Sequence, residues 1–327
     1  MKVVFTRVAI FLALILGLGL FAVAAPATID SMALLSAGQM NDLLVALMNR
    51  NDAESYNLRS RAYYASEQWD AAIQNGERAV SLQGDDAQYH LWLARAYGQK
   101  AAEIGNPLSA AGLARKAKAE FERAVELNPK NISARADLSE YYVQAPAIMG
   151  GGLGKARNQA SELQNLDPAT ADWVRALVSE KEKKYGDAEN NLKGAIARAQ
   201  NPAQYWMSLA AFYRQRGRLD EMQSAIQSAL AQPNRPSETY YDAASELLEA
   251  GRNFPAAVQY VKTYLSSGEL VEDAPAFRAH YLLGQIYEKS GDKAKASAEY
   301  QASLSLASGF GRARKALDQL HSKQPFR

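Results

Sequence analysis

Residues 149–156 read MGGGLGKA, and a glycine run ending in Gly154 and Lys155 is a pattern that can hold a phosphate. Without a Cβ the backbone N–H groups can approach an anion closely, and a lysine adds charge. The phosphate loop of nucleotide-binding proteins needs G-x-x-x-x-G-K-[ST] between a buried strand and a helix. Here Met149 stands where the first glycine belongs, and Ala156 has no hydroxyl for magnesium. The preceding ARADLSEYY has a helical pattern rather than that of a strand. The segment therefore reads as an elongated turn. Pro146 stops one helix, the glycines reverse the chain, and Lys155 and Ala156 open the next. An anion such as a peptide carboxylate at that helix start remains compatible with it.

Other reactive types are sparse. The histidines are His90, His280 and His321; the first two fall on apolar helical stripes, too far apart to share a metal, and read as core or edge residues. Asp85-Asp86 and Glu272-Asp273 lie at turns, where carboxylates cap helices. No Gly-x-Ser-x-Gly elbow or His-Glu-x-x-His helix occurs. The chain has no cysteine, which excludes disulfides, thiolate metal sites, thiol nucleophiles and lipidation at an N-terminal cysteine. These readings assign no catalytic residue, cofactor or metal, and point away from an enzyme.

The elements that carry these residues repeat. Pro129, Pro168, Pro202, Pro236 and Pro275 are separated by 39, 34, 34 and 39 residues. Between them one helical pattern returns: Leu209, Ala210, Tyr213, Gly217 and Ala229 in one segment, Leu283, Gly284, Tyr287, Gly291, Ala296 and Tyr300 in another, and Tyr56, Ser60, Tyr63, Ala72, Ala79 and Val80 in a third belong to the same series. The pattern resembles the tetratricopeptide repeat, a 34-residue helix pair, and it extends over nearly all of the chain beyond residue 52. The resemblance implies an all-α, right-handed superhelical α-solenoid. Seven helix pairs start near Ala53, Ala87, Ile132, Ala169, Ala203, Ser237 and Phe277. The second and third are irregular, with the second lengthened around Gly105-Asn106-Pro107. Small residues at the eighth position (Ser60, Ala94, Ala210, Gly284) and the twentieth (Ala72, Ala156, Ala256, Ala296) mark where paired helices approach closely. A large side chain there overpacks the pair by ~1–3 kcal/mol. Tyrosines at the eleventh position add apolar area and a hydroxyl that can reach a partner.

The organisation expected is a signal peptide over 1–24, a leading helix within 25–52, the repeat array over 53–308, and a capping helix and tail over 309–327. Lys2 and Arg7, the apolar run Val8 to Ala22, and Ala22-Val23-Ala24 have the order of a cleavable secretory signal, with an uncleaved anchor as the lesser reading. Export to the periplasm or beyond follows from that order, with no membrane span after cleavage. The turn APAIMGGGLGKA is similar to one in exported bacterial members of the family. Beyond residue 24, 35 basic residues face 35 acidic ones, which gives no electrostatic reason to expect nucleic acid.

In such solenoids the inner face is lined by first-helix residues at about the second, fifth, ninth and twelfth positions. Carried over, the resemblance implies a surface of Asn57, Arg61 and Tyr64; Gln88 and Arg95; Glu140; Trp173; Met207 and Arg214; Glu238 and Tyr241; and Arg278, Tyr281 and Gln285. Aromatic, Met and Arg side chains among neutral amides are the composition of protein contacts. Asn57 and Arg61 stand in reversed order to the asparagine and basic residue that hold a terminal carboxylate in chaperone-binding members, so that clamp is not carried over. The expected activity is a scaffold or adaptor that binds an extended peptide or protein, in a cell-envelope assembly or transport complex. The alternatives are an enzyme accessory subunit or carbohydrate-binding surface using Trp173, Tyr241 and Tyr281, and a structural spacer.

Overall fold

The structure, a computed structural model, describes residues 30–322; the segment read as a signal peptide and the last five residues lie outside them. Among the described residues the elements are seventeen α-helices and one short 3-10 turn. Seven antiparallel pairs form the array: α3 (Ala53–Ala65) with α4 (Trp69–Leu82), α5 (Ala87–Glu103) with α6 (Pro107–Leu127), α7 (Ile132–Gln144) with α8 (Leu153–Leu163), and α9 (Pro168–Lys181) with α10 (Tyr185–Arg198). They continue as α11 (Ala203–Gln215) with α12 (Leu219–Leu230), α13 (Glu238–Glu249) with α14 (Phe254–Ser266), and α15 (Ala276–Lys289) with α16 (Lys293–Leu306). Each pair packs on the next, an all-α solenoid. Before them stand α1 (Ser31–Ala37) and α2 (Met40–Ala46), and after them α17 (Gly311–Ser322).

Local chemistry starts and stops these helices. Asp52, Asp86, Asn106, Asn131 and Asp167 each accept backbone N–H groups at the head of a helix. Such a cap is worth ~1 kcal/mol. Where the chain turns from first to second helix, Gly217, Gly251 and Gly291 take a left-handed backbone, and Glu67 and Lys183 take it without being glycine. The small positions are buried: Ser60, Ala94, Ala210, Ala72, Ala156 and Ala296 are each at most 1% exposed. In the sixth pair the buried residue is Ala257, not the expected Ala256. Asn253 is a second left-handed residue after Gly251, and it displaces the register of α14 by one.

The eleventh-position tyrosines tie successive repeats. Tyr142 donates to Glu122 at 2.7 Å and Tyr213 to Glu189 at 2.9 Å; Tyr97 donates likewise to Glu77. Each acceptor lies on the second helix of the preceding pair. A cation covers each ring: Lys116 at 5.0 Å from Tyr97, Lys155 at 5.3 Å from Tyr142, and Arg218 at 4.4 Å from Tyr213.

The glycine turn is held by its own chain. The Tyr141 hydroxyl lies 2.8 Å from the Ala114 carbonyl and 2.7 Å from that of Met149. Lys155 Nζ donates to the Gly150 carbonyl at 3.0 Å, and the Gly152 N–H to that of Tyr142 at 2.8 Å. Gly150 has φ +90°, which only glycine adopts easily.

The ends depart from the expectation of two independent caps. The leading segment is two short helices broken at Gly38 (φ +76°). Leu35, Met40, Leu43, Leu47 and Leu58 share one core with Phe277, Ala307, Phe310 and Ala313, all at most 2% exposed. Asn41 Nδ2 donates to the Ser305 carbonyl at 2.9 Å, and Ser308 N–H donates to Asn41 Oδ1 at 3.0 Å. The first and last repeats therefore meet, and each covers the oily face the other would expose. An open solenoid must spend polar residues on its outer ends; here the ends bury one another.

Candidate functional site: the inner face

Second, sixth and ninth positions of a first helix share one stripe, with i, i+4, i+7 spacing. At one side of this face Trp92 lies between two arginines, with Arg95 4.5 Å and Arg61 5.1 Å from its ring. Tyr64 meets the same ring edge-on at 5.5 Å. Arg95 donates to Asp137 at 2.6 Å, and Arg61 donates to both oxygens of Glu272 at 2.9 and 2.5 Å. Glu272 is thus an ion-pair partner of the first repeat rather than the helix cap expected of it; α15 begins after Pro275 with no side-chain cap. Asp86 does cap α5.

Tyr64, Arg95, Asp137 and Glu140 line a cavity of about 270 Å³ together with Phe121 and Tyr141. Asn57, Arg61 and Gln88 line a neighbouring one of about 600 Å³, where Asn57 is buried and Gln88 exposed. The other expected residues are dispersed. Trp173 borders a cleft of about 340 Å³ with Ile132, Gln204 and Tyr205. Met207 is buried in the core, and Arg214 is committed to Glu246 at 2.7 Å and Glu249 at 2.6 Å. Tyr241 packs 6.0 Å from Tyr264, Tyr281 lies between Tyr300 (5.7 Å) and Phe310 (5.2 Å), and Gln285 is half-buried. Trp173, Tyr241 and Tyr281 do not form one stacking platform.

Glu140, which is exposed, and Glu238 and Asp242, which are half-buried, have no hydrogen bond or ion pair among the described residues. Burial, followed by the charges of Glu238, Glu246 and Asp273, pushes Asp242 up to about 7. Burial and then Asp137 raise Glu140; burial and then Asp273 raise Glu238. Burial raises Asp137 as well, against the pull of Arg95. Asp273, in the segment before α15, thus acts on carboxylates of the third repeat and of the sixth at once. Acids crowded this way gain from any cation brought among them.

Sequence reasoning missed Trp92, Asp137 and Asp242. All three occupy the sixth position of their repeats, one helical turn before the ninth. The stripe rule contained that signal, since positions separated by three and four share a face. Glu272 and Asp273 gave none, because they come from a connecting segment. Among the described residues no group of three or more His, Asp or Glu side chains is placed to hold a metal ion, and no helix is long and apolar enough to cross a membrane.

Solved structures similar to this chain include a thermophilic tetratricopeptide repeat protein of Thermus thermophilus, at 25% identity over 60% of this chain and 99% of that one, with a TM-score of 0.44. A tetratricopeptide repeat protein of Parabacteroides merdae is 15% identical over 82% of this chain and 98% of its own, with a TM-score of 0.43. YrrB, a tetratricopeptide repeat protein with an unusual peptide-binding site, is 16% identical over 61% of this chain and 97% of its own, with a TM-score of 0.38. No curated protein matches the sequence. The profile of the family described as tetratricopeptide repeat matches residues 241–309, which run from α13 into the turn after α16. The segment that matches the tetratricopeptide repeat profile is one part of an array in which the same helix pair recurs seven times among the described residues.

Proposed function

We propose that the chain is an adaptor whose inner face holds an extended segment of a partner protein through that segment's lysine or arginine side chains. The observation that carries this reading is the set of unpaired carboxylates, Glu140, Glu238 and Asp242, with Asp242 pushed up to about 7 by burial and then by its acidic neighbours. A cation entering there relieves repulsion the fold has left uncompensated, and the Tyr64 ring, which lines the cavity beside Glu140, adds apolar area. The N-terminal order of basic, apolar and small residues supports export and hence work in a cell-envelope assembly or transport complex.

Binding is tested by fluorescence polarisation with extended peptides of one length, either Lys/Arg-bearing or Asp/Glu-bearing. The basic peptide binds, and binding weakens about tenfold or more when Asp242→Asn and Glu140→Gln are combined, since each lost charge contact is worth about 1 kcal/mol. Equal binding of the acidic peptide, or no loss in the double variant, refutes the reading. Export is tested by fractionating expressing cells and sequencing the mature N-terminus; an intact N-terminus in the cytoplasm refutes that part.

A further inference from the structure

Five repeats turn from first to second helix through a left-handed residue at the same position: Glu67, Lys183, Gly217, Gly251 and Gly291. A side chain with a Cβ is disfavoured there, and a strained residue that persists invites the question of what its side chain does. Lys183 is exposed, and no hydrogen bond or ion pair of its side chain occurs among the described residues. Glu67 is different. Its side chain is only 16% exposed, with Arg312 Nε at 2.6 Å from one carboxylate oxygen and Arg278 Nη2 at 3.6 Å from the other. Both arginines come from the opposite end of the chain. Arg278 also donates from Nε to the Ala65 carbonyl, two residues before Glu67, at 3.0 Å.

We propose that Glu67 is a latch residue, kept in a left-handed turn because its carboxylate receives Arg278 and Arg312 and so closes the first repeat onto the last. Arg61 with Glu272 is the second polar point of the same seam, and the core around Leu35, Met40, Phe277 and Phe310 is its apolar part. At Gly38 the two ends meet backbone to backbone: an added Cβ would stand 2.6 Å from the Ala276 nitrogen. Loosening this seam lets the last repeat and α17 move away from α1 to α3, which widens access to the inner face. The closed arrangement and an opened one are then two states of the protein, with the arginine contacts biasing the balance between them.

A local turn role and a latch role predict opposite signs. Replacing a left-handed non-glycine by Gly relieves strain, so Lys183→Gly raises Tm by about 2 °C. Under the latch, Glu67→Gly gains the same relief and still fails to raise Tm, because the seam loses both arginine contacts. The absence of native cysteine allows spin labels at Val45→Cys on α2 and Gln301→Cys on α16, both exposed, in the full chain. Pulsed dipolar spectroscopy then reports the separation of the ends directly. A longer-distance population appears with Glu67→Gly, appears also with Arg312→Gln, and is absent with Lys183→Gly. Should Glu67→Gly fail to fold, Arg312→Gln in half-exposed α17 decides alone. A distance distribution unchanged in both seam variants, or a rise in Tm for Glu67→Gly equal to that of Lys183→Gly, overturns the proposal. Neither readout requires a partner, so the outcome stands apart from whether the inner face binds one.

Discussion

Glu189 and Asp242 carry the same chemical group two repeats apart, and the fold places them in opposite circumstances. Glu189 lies between repeats, where Lys193, Arg218 and Tyr213 all donate to it at 2.6–2.9 Å. The Lys193 hydrogen bond, with those of Arg218 and Tyr213, pulls it down to about 2 despite some burial. Asp242 faces inward, receives no donor among the described residues, and is pushed up to about 7. The difference lies first in burial, which dominates at Asp242, and then in the supply of donors, which outweighs it at Glu189. Between repeats Tyr97, Tyr142 and Tyr213 each donate to a carboxylate of the previous pair, and at Glu189 the covering Arg218 donates as well. On the inner face the neighbours are further acids. One set of carboxylates therefore joins the array together, and the other sits at a standing disadvantage that only an incoming cation or proton removes.

The largest effect on this contrast comes from Glu189→Ala, which strands Tyr213 and loosens two cations. A loss of about 2 kcal/mol at pH 7 is expected, or a Tm lower by about 4 °C, read by calorimetry. Because its folded pKa is lowered, the contribution of Glu189 is full above the ordinary carboxylate range and fades as pH falls towards about 2, so the gap between variant and parent narrows below pH 4. If the gap is constant with pH, the pairing is not what Glu189 supplies.

Asp242→Asn comes next and runs the other way. An acid raised from 3.8 to about 7 favours the fold while protonated and costs stability as pH rises through that window. The variant is expected to be more stable by about 1–2 kcal/mol at pH 8 and equal to the parent below pH 4. A destabilised variant at pH 8 would mean that Asp242 has a partner after all.

A smaller effect belongs to His90. Its Nδ1 lies 2.5 Å from Glu120 and its Nε2 3.1 Å from the Gly84 carbonyl, two acceptors that together call for the doubly protonated ring. The Glu120 hydrogen bond raises its pKa, against burial. Its contribution is full below the unfolded pKa of 6.5 and is lost as pH rises through the folded value, so His90→Gln should cost about 1 kcal/mol at pH 6 and less at pH 9. Smallest is Tyr142→Phe, which deletes the hydroxyl bonded to Glu122 and is expected to cost about 0.5–1 kcal/mol by urea unfolding.

Much of the array was legible in the sequence because its signals are local. A 34-residue period, buried alanines at the helix crossings and Asp or Asn at helix heads each report on neighbours a few residues away. The glycine turn was legible for the same reason, since the groups that hold it lie mostly within a few residues of it. Legibility failed by one residue at Ala256, where a second left-handed turn residue displaced the register. It failed more widely at the inner face. Arg61 was expected to greet a partner, and instead holds Glu272, 211 residues away.

What the residues determined alone was the unit: two helices, their crossing, their caps and the tyrosine that reaches the pair before. What only the tertiary structure decided was where the ends of the array fall, and hence that Glu67 meets Arg278 and Arg312 and that Asp273 acts on both Asp137 of the third repeat and Asp242 of the sixth. Each interface rotates its repeat by a small angle set by packing. The meeting of first and last repeats depends on the sum of all those angles, which no single stretch of sequence contains.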